Sequence, residues 1–254
     1  KSVMGNINSD YCDQCGWMKN CYLCFDCDRF ENSAYAIKGE SIKDSFDTYE
    51  VSKSEFCYES VVLEEAYRVF FSMDCERCTD VWFSKDLTSC NNCFGCVNRR
   101  NKSYYIFNKP YSKEEYAEEL KKLNPGSYRS TQEILKKARE LWGQFPVKYL
   151  HGYHNVNVSG QLIYNSKNTQ GSYSVQEGEN IKYSQMLWVK IADSYDYTNF
   201  GLTASLIYEC LTCGLQSSSL KFCWECWDGS RDMDYSAYCN SSSNLFGCIG
   251  LRKK

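Results

Sequence analysis

Seventeen cysteines in 254 residues set the chemical possibilities of this chain. Cys21, Cys24 and Cys27 are spaced three apart, and so are Cys90, Cys93 and Cys96. Cys12 and Cys15 keep the same gap, as do Cys75 and Cys78, and His151 and His154 place two imidazoles at that spacing. Thiolates and imidazoles at such intervals are zinc-ligand types, and neighbouring thiols also support thiol–disulfide exchange. The two triplets are the candidate metal ligands, with Zn as the ion they would hold. Carboxylates offer a second chemistry, because Asp44 and Asp47 recur as Asp193 and Asp196 and paired acids can cleave glycans. A third is nucleic-acid binding, from Arg99, Arg100 and Lys102 beside Tyr104 and Tyr105, the basic-aromatic set that holds single strands. The chain carries no glycine-rich phosphate loop, no Ser-His-Asp set and no histidine spaced to activate a thiol.

The elements that must position these residues change their meaning. All eleven cysteines in residues 1–108 fall on multiples of three, which chance would produce on the order of one time in 10⁴ to 10⁵. Written in rows of twelve, the segment forms columns. One reads Cys12, Cys24, Ala36, Thr48, Ser60, Ser72, Ser84, Cys96; another reads Tyr22, Ala34, Phe46, Tyr58, Phe70, Trp82, Phe94, Ile106; beside it stand Tyr11, Leu23, Tyr35, Phe71, Phe83 and Phe107. A short fixed period is the mark of a solenoid, one repeat per coil. The expected fold is mainly β: a short-coil β-solenoid of about twelve residues per turn in two arrays, with an inserted α-helical hairpin. So small a coil leaves an interior for little beyond Cys, Ser, Ala, Thr and Val. The thiols then read as compact buried apolar groups, not as ligands. Sulfurs pointing inward side by side do not converge tetrahedrally. Asp44 and Asp47 read as turn residues, and Arg252, Lys253 and Lys254 match the basic run at 99–102 as a recurring coil ending.

The first array is assigned to 1–108, the helical insertion to 109–150 and the second array to 151–254. Ser112 and Glu115 form a capping box opening a helix to about Lys122, and Asn124-Pro125-Gly126 ends it. Ser130 and Glu133 suggest a second box, followed by Ile134, Leu135, Ala138, Leu141, Trp142 and Phe145 on one face and a stop at Pro146. That face requires an apolar surface, for which the aromatic columns are the obvious choice. In the second array the cysteine frames shift at Cys210/Cys213, Cys223/Cys226 and Cys239/Cys248. Coils of thirteen residues are expected from Cys210 to Cys223 and from Cys223 to Ser236, the extra residue bulged at a turn.

Net charge is −3, which gives no general pull toward nucleic acid or acidic membranes. No stretch reaches the apolar length of a membrane span. An odd cysteine count favours mostly reduced thiols in a cytoplasm-like compartment. Lys1 and the abrupt Arg252-Lys253-Lys254 ending look like cuts within a longer protein.

Cys90-Asn91-Asn92-Cys93-Phe94-Gly95-Cys96-Val97-Asn98-Arg99-Arg100-Asn101-Lys102, with Tyr105-Ile106-Phe107-Asn108-Lys109 and Tyr111-Ser112-Lys113-Glu114-Glu115-Tyr116 after it, resembles uncharacterised Cys-rich repeat proteins of candidate-phyla bacteria. Phe222-Cys223-Trp224-Glu225-Cys226 and Phe246-Gly247-Cys248-Ile249-Gly250-Leu251-Arg252 match the second repeat block of that group. Its members often carry a zinc-ribbon-like part before the repeats, absent from this sequence, and the resemblance implies no activity. The functional expectation is a non-enzymatic scaffold whose aromatic face, with Tyr58, Phe70, Trp82 and Phe94 as contact residues, meets a protein partner or another copy. Metal binding or thiol redox on the cysteine ladders is the alternative; glycan chemistry and nucleic-acid binding rank below it.

Overall fold

The computed structural model describes residues 3–178, 184–191, 205, 208–211, 218–219, 221–224 and 229–253. The chain divides into two units, Lys1–Pro146 and Val147–Lys254. In the first, parallel strands pair each residue with the one twelve further on. Tyr22 faces Ala34, which faces Phe46, and the series Glu55, Tyr67, Thr79, Asn91 and Ser103 continues at that interval. This is a β-solenoid with twelve residues per coil.

Each coil is built from triplets with a division of labour among their backbone groups. The outward residue donates to the next coil, as Asp10 N does to Cys21 O at 3.0 Å. The corner residue donates to the previous coil, as Leu23 N does to Asp10 O at 3.1 Å. The inward residue's N–H points along the lumen and needs a side-chain acceptor. Cys21 N donates to Ser9 Oγ at 3.1 Å, Cys57 N to Ser45 Oγ at 3.0 Å and Cys96 N to Ser84 Oγ at 3.0 Å. The same hydroxyls donate to carbonyls two residues back, Ser45 Oγ to Lys43 O at 2.8 Å and Ser84 Oγ to Trp82 O at 2.9 Å. Buried backbone donors must find partners. Where the inward residue one coil earlier is serine, its hydroxyl both accepts this N–H and donates to a carbonyl.

The corners are left-handed. Tyr11, Leu23, Tyr35, Asp47, Phe71 and Phe83 have φ between 51° and 56°. Non-glycine residues enter this region at a cost of about 1–2 kcal/mol each. The direct reason is closure: a chain returning to its own column after twelve residues must turn at every triplet, and two ladder bonds per triplet hold the turn. At Gly95 (φ +63°) the corner lacks a side chain because a Cβ would meet Phe107 Cε1 at 2.5 Å.

The lumen holds larger groups than a coil-by-coil reading allows, which corrects the expectation of an interior limited to slim side chains. Met18, Phe30, Ile42, Leu63 and Leu87 are all buried there. Volume is shared between coils. A Cβ on Gly39 would press on the Val51 carbonyl of the following coil and lie 2.8 Å from Phe30 Cζ, so glycine here lets the next coil stack and leaves space for the phenylalanine of the coil before.

Two helices follow the first array and belong to the first unit. Helix α1 (Lys113–Leu123) begins at the expected capping box: Glu115 N donates to Ser112 Oγ at 3.2 Å and Ser112 N to Glu115 Oε2 at 2.8 Å. It ends on Asn124 in the left-handed conformation. Helix α2 (Tyr128–Trp142) starts earlier than the Ser130–Glu133 pattern suggested, with Ser127 at its N-cap. The turn at 124–127 is short enough to lead straight into α2. Glu133, one turn inside, pairs with Arg129 at 3.1 Å instead of capping. Thr131 Oγ1 donates to Pro125 O at 2.8 Å and ties the turn to the helix.

The second unit is also a parallel solenoid where described, with variable coils. Trp224 faces Ala237, thirteen residues on, and Cys210 faces Cys223 at that interval, as the shifting cysteine frames implied. The first coil is shorter than any expectation, Gly152 facing Ile163 after eleven residues. It closes only with glycine: a Cβ on Gly152 would sit 1.8 Å from Ile163 O.

Candidate interaction surface

The described cysteines of the first unit are buried in the lumen and carry free thiols. Cys90 Sγ donates to Thr88 O at 3.4 Å and Arg99 O at 3.5 Å; Cys93 Sγ reaches Asn91 O at 3.5 Å and Lys102 O at 3.6 Å; Cys96 Sγ reaches Phe94 O and Tyr105 O, both at 3.5 Å. Cys24 and Cys27 bond in the same way, and Cys21 Sγ donates to Lys19 O at 3.3 Å. Thiol and hydroxyl are therefore doing one job. Among the described residues no three cysteine sulfurs lie within 4.8 Å of one another. A tetrahedral zinc with Zn–S near 2.3 Å draws its sulfurs to about 3.8 Å. Cys21, Cys24 and Cys27, and likewise Cys90, Cys93 and Cys96, face the lumen from successive triplets of the chain, and neither set gathers three sulfurs about a common point.

Their acidities follow from contacts within the lumen. Hydrogen bonds from Cys21 and Cys27 draw the Cys24 thiol below its ordinary value. One from Cys93 lowers Cys90 to about 7. Burial raises Cys57 to about 11. Cys24 is fully buried and Cys90 is 1% exposed, so neither low value offers a nucleophile to solvent. In the second unit Cys210 is disulfide-bonded.

The other candidates are absorbed by the architecture. Asp44 and Asp47 occupy left-handed corners, φ 47° and 55°, and Asp44 accepts from Asn32 Nδ2 at 3.0 Å. Asn8, Asn20 and Asn32 precede it as an amide ladder with bonds of 2.8 and 2.9 Å. Asp193 and Asp196 lie outside the described residues, as do Cys213 and Cys226. His151 Nδ1 meets Gln161 Oε1 at 3.1 Å and His154 Nδ1 meets Asn165 Oδ1 at 3.2 Å, both contacts to the following coil. The basic run at 99–102 is used in packing: Arg99 lies over Phe145 and Lys102 over Tyr105. Tyr104 packs edge-on to Tyr116 at 5.7 Å, so its ring is not free for a base.

What remains is the aromatic stripe. Its rings interlock from coil to coil: Tyr11–Tyr22 at 5.5 Å, Tyr22–Tyr35 at 5.9 Å, Tyr58–Phe71 at 5.4 Å, Phe71–Phe83 stacked at 4.8 Å and Phe94–Phe107 at 6.2 Å. Over the last coils the stripe is covered. Tyr116 of α1 and Ile134 and Ala138 of α2 bury Phe83, Phe94 and Ile106, with Trp82, Phe107, Leu135 and Trp142 at the margin. Lys137 Nζ sits 4.1 Å from the Phe107 ring centre and closes one side. Phe94, expected as a partner contact, is only 1% exposed, because this chain's own hairpin occupies it. Phe70 and Trp82 are half-buried. Over the first coils the same columns are open. Tyr11, Tyr22, Tyr35, Phe46 and Tyr58 are exposed, as are Phe25, Ile37 and Val61 on the adjoining face. These last three went unnoticed in the sequence, although together with Tyr49 they form one column at twelve-residue intervals, Phe25, Ile37, Tyr49 and Val61.

Comparison with known proteins adds no identity. No family model and no curated protein matches the chain. A solved structure of a proposed acetyltransferase from Desulfovibrio desulfuricans aligns at 11% identity and a TM-score of 0.18, covering 97% of this chain and 62% of that one. The chain thus spans less than two thirds of that neighbour's length.

Proposed function

We propose that this protein is a non-enzymatic scaffold whose first solenoid array presents an aromatic face to a protein partner or a second copy. The observation that carries the reading is the split stripe. The same columns carry rings at both ends of the array, interrupted at Asp47 and Glu59; the later coils are sealed by the chain's own helices and the earlier coils are left open, with Tyr11 68% and Tyr35 52% exposed. Apolar area contiguous over several coils, on a backbone held by ladders on both sides, is the kind of surface that marks an interaction site. Among the described candidates, the cysteine thiols of the two triplets, Asp44, His151 and His154 are engaged in bonds within and between coils, which supports the non-enzymatic part. No helix among the described residues is long and apolar enough to cross a membrane.

Photo-crosslinking tests the reading. A benzophenone side chain placed at Phe46 on the stripe should give discrete protein adducts in the native host or with a second copy. One at Ser41, exposed at another corner of the coil, should give none. Equal adducts from both positions, or none from either, would reject the scaffold reading.

A further inference from the structure

We infer that the open half of the stripe receives a basic amphipathic α-helix of a partner protein. This rests on the scaffold reading and names the occupant. Three observations lead to it.

The backbone beneath the stripe is already paired on both sides. Tyr22 N donates to Ser33 O, Leu23 N to Asp10 O, Ala34 N to Ser45 O and Phe71 N to Tyr58 O. An extended peptide gains affinity by adding to an open sheet edge, and the flank of the solenoid has no such edge here. An occupant must bring a backbone whose hydrogen bonds are internal, and a helix does.

The second observation is what covers the rest of the stripe. The continuation of the same columns is sealed by α1 and α2, whose Tyr116, Ile134 and Ala138 lie against Phe83, Phe94 and Ile106. The open half continues that established interface. Spacing permits the same solution there. Coils rise by about 4.8 Å and a helix by about 5.4 Å per turn, so a helix laid along the stripe meets about one ring per turn.

The third is charge. Asp47 and Glu59 occupy exposed corners in the column that holds Tyr11 and Tyr35. After burial, Glu59 and then Asp47 act on the Tyr58 phenol and raise its pKa, making it a weaker acid. The open face is therefore apolar with two carboxylates set among its rings. Over the closed half, the residue bordering Phe107 is Lys137. The fitting partner helix carries Leu, Ile or Ala on one face and Lys or Arg beside it.

The probe is a synthetic peptide of residues 128–145, locked as a helix by a staple on its solvent face and titrated into the intact chain. It should bind one to one. Replacing Tyr22 and Phe46 by glutamate should weaken it at least about tenfold. Asp47→Asn with Glu59→Gln, which leaves the core untouched, should weaken it a few-fold and flatten its salt dependence. Circular dichroism should show the variants folded. Two results would overturn the helix inference: affinity insensitive to both sets of substitutions, or equal binding by a proline-broken peptide of the same composition. If crosslinks from Phe46 persist in either case, the scaffold reading survives without the helix; if they too are missing, both fall.

Discussion

Single inward side chains carry the backbone of this solenoid. Ser84 Oγ takes the Cys96 amide and returns a bond to Trp82 O. Ser84→Ala orphans a buried donor and should cost about 1–3 kcal/mol. Ser84→Cys, which keeps an acceptor, should cost less; urea titration of both variants checks the order. Gly39→Ala should also destabilise, by about 1–3 kcal/mol, since the new methyl meets Phe30 at 2.8 Å and Val51 O at 2.4 Å in the native geometry. A Phe30→Leu second substitution should recover part of the loss if the ring is the obstacle. Cys57 gives a pH test. Burial raises its thiol from 9.0 to about 11, so the folded state holds the proton more tightly than the unfolded chain. Its contribution is complete below pH 9 and is lost as pH rises through 11, an effect on the order of 2–3 kcal/mol. Denaturation at pH 8 and pH 11 should show this loss in the wild type and a smaller one in Cys57→Val. These roles are only half visible in the residue list. The periodic thiols announce an interior, but nothing in a cysteine's identity says that it stands in for serine as a donor to the carbonyl two residues back.

The hairpin is the element whose removal changes the surface most. Ala138 of α2 is fully buried against the stripe. Ala138→Glu places a carboxylate among Phe83, Phe94 and Ile106 and should undock α2. Binding of a hydrophobic dye should rise while the twelve-residue coils keep their circular dichroism. Loss of the strand signal as well would show that the solenoid depends on the hairpin. Ser112→Ala removes one side of the α1 capping box and should cost about 1 kcal/mol. Both helices were legible from caps and apolar spacing. The start of α2 was not, because Ser130 and Glu133 imitate a box one turn inside a helix that begins at Tyr128. The left-handed corners were equally hidden: Leu23, Tyr35 and Phe71 carry no glycine signature, and their turns are forced by closure of the coil, a constraint no single residue states.

At the scale of the molecule, two repeats of one plan serve differently. The first unit keeps twelve residues from coil to coil, while the described coils of the second vary from eleven to thirteen. A regular register stacks like side chains into straight columns, and that regularity lines up the rows of rings. The sequence alone determined the period, the inward columns, the hairpin and the aromatic rows, because each is a repeating demand on side-chain size that survives in the linear order. Tertiary structure decided the rest: that Gly39 makes room for Phe30, that no three sulfurs among the described residues approach one another closely, and that Phe94 is sealed while Tyr35 is open. Those outcomes depend on distances between residues from different coils and helices, and a distance across the fold is set only once all its neighbours are in place.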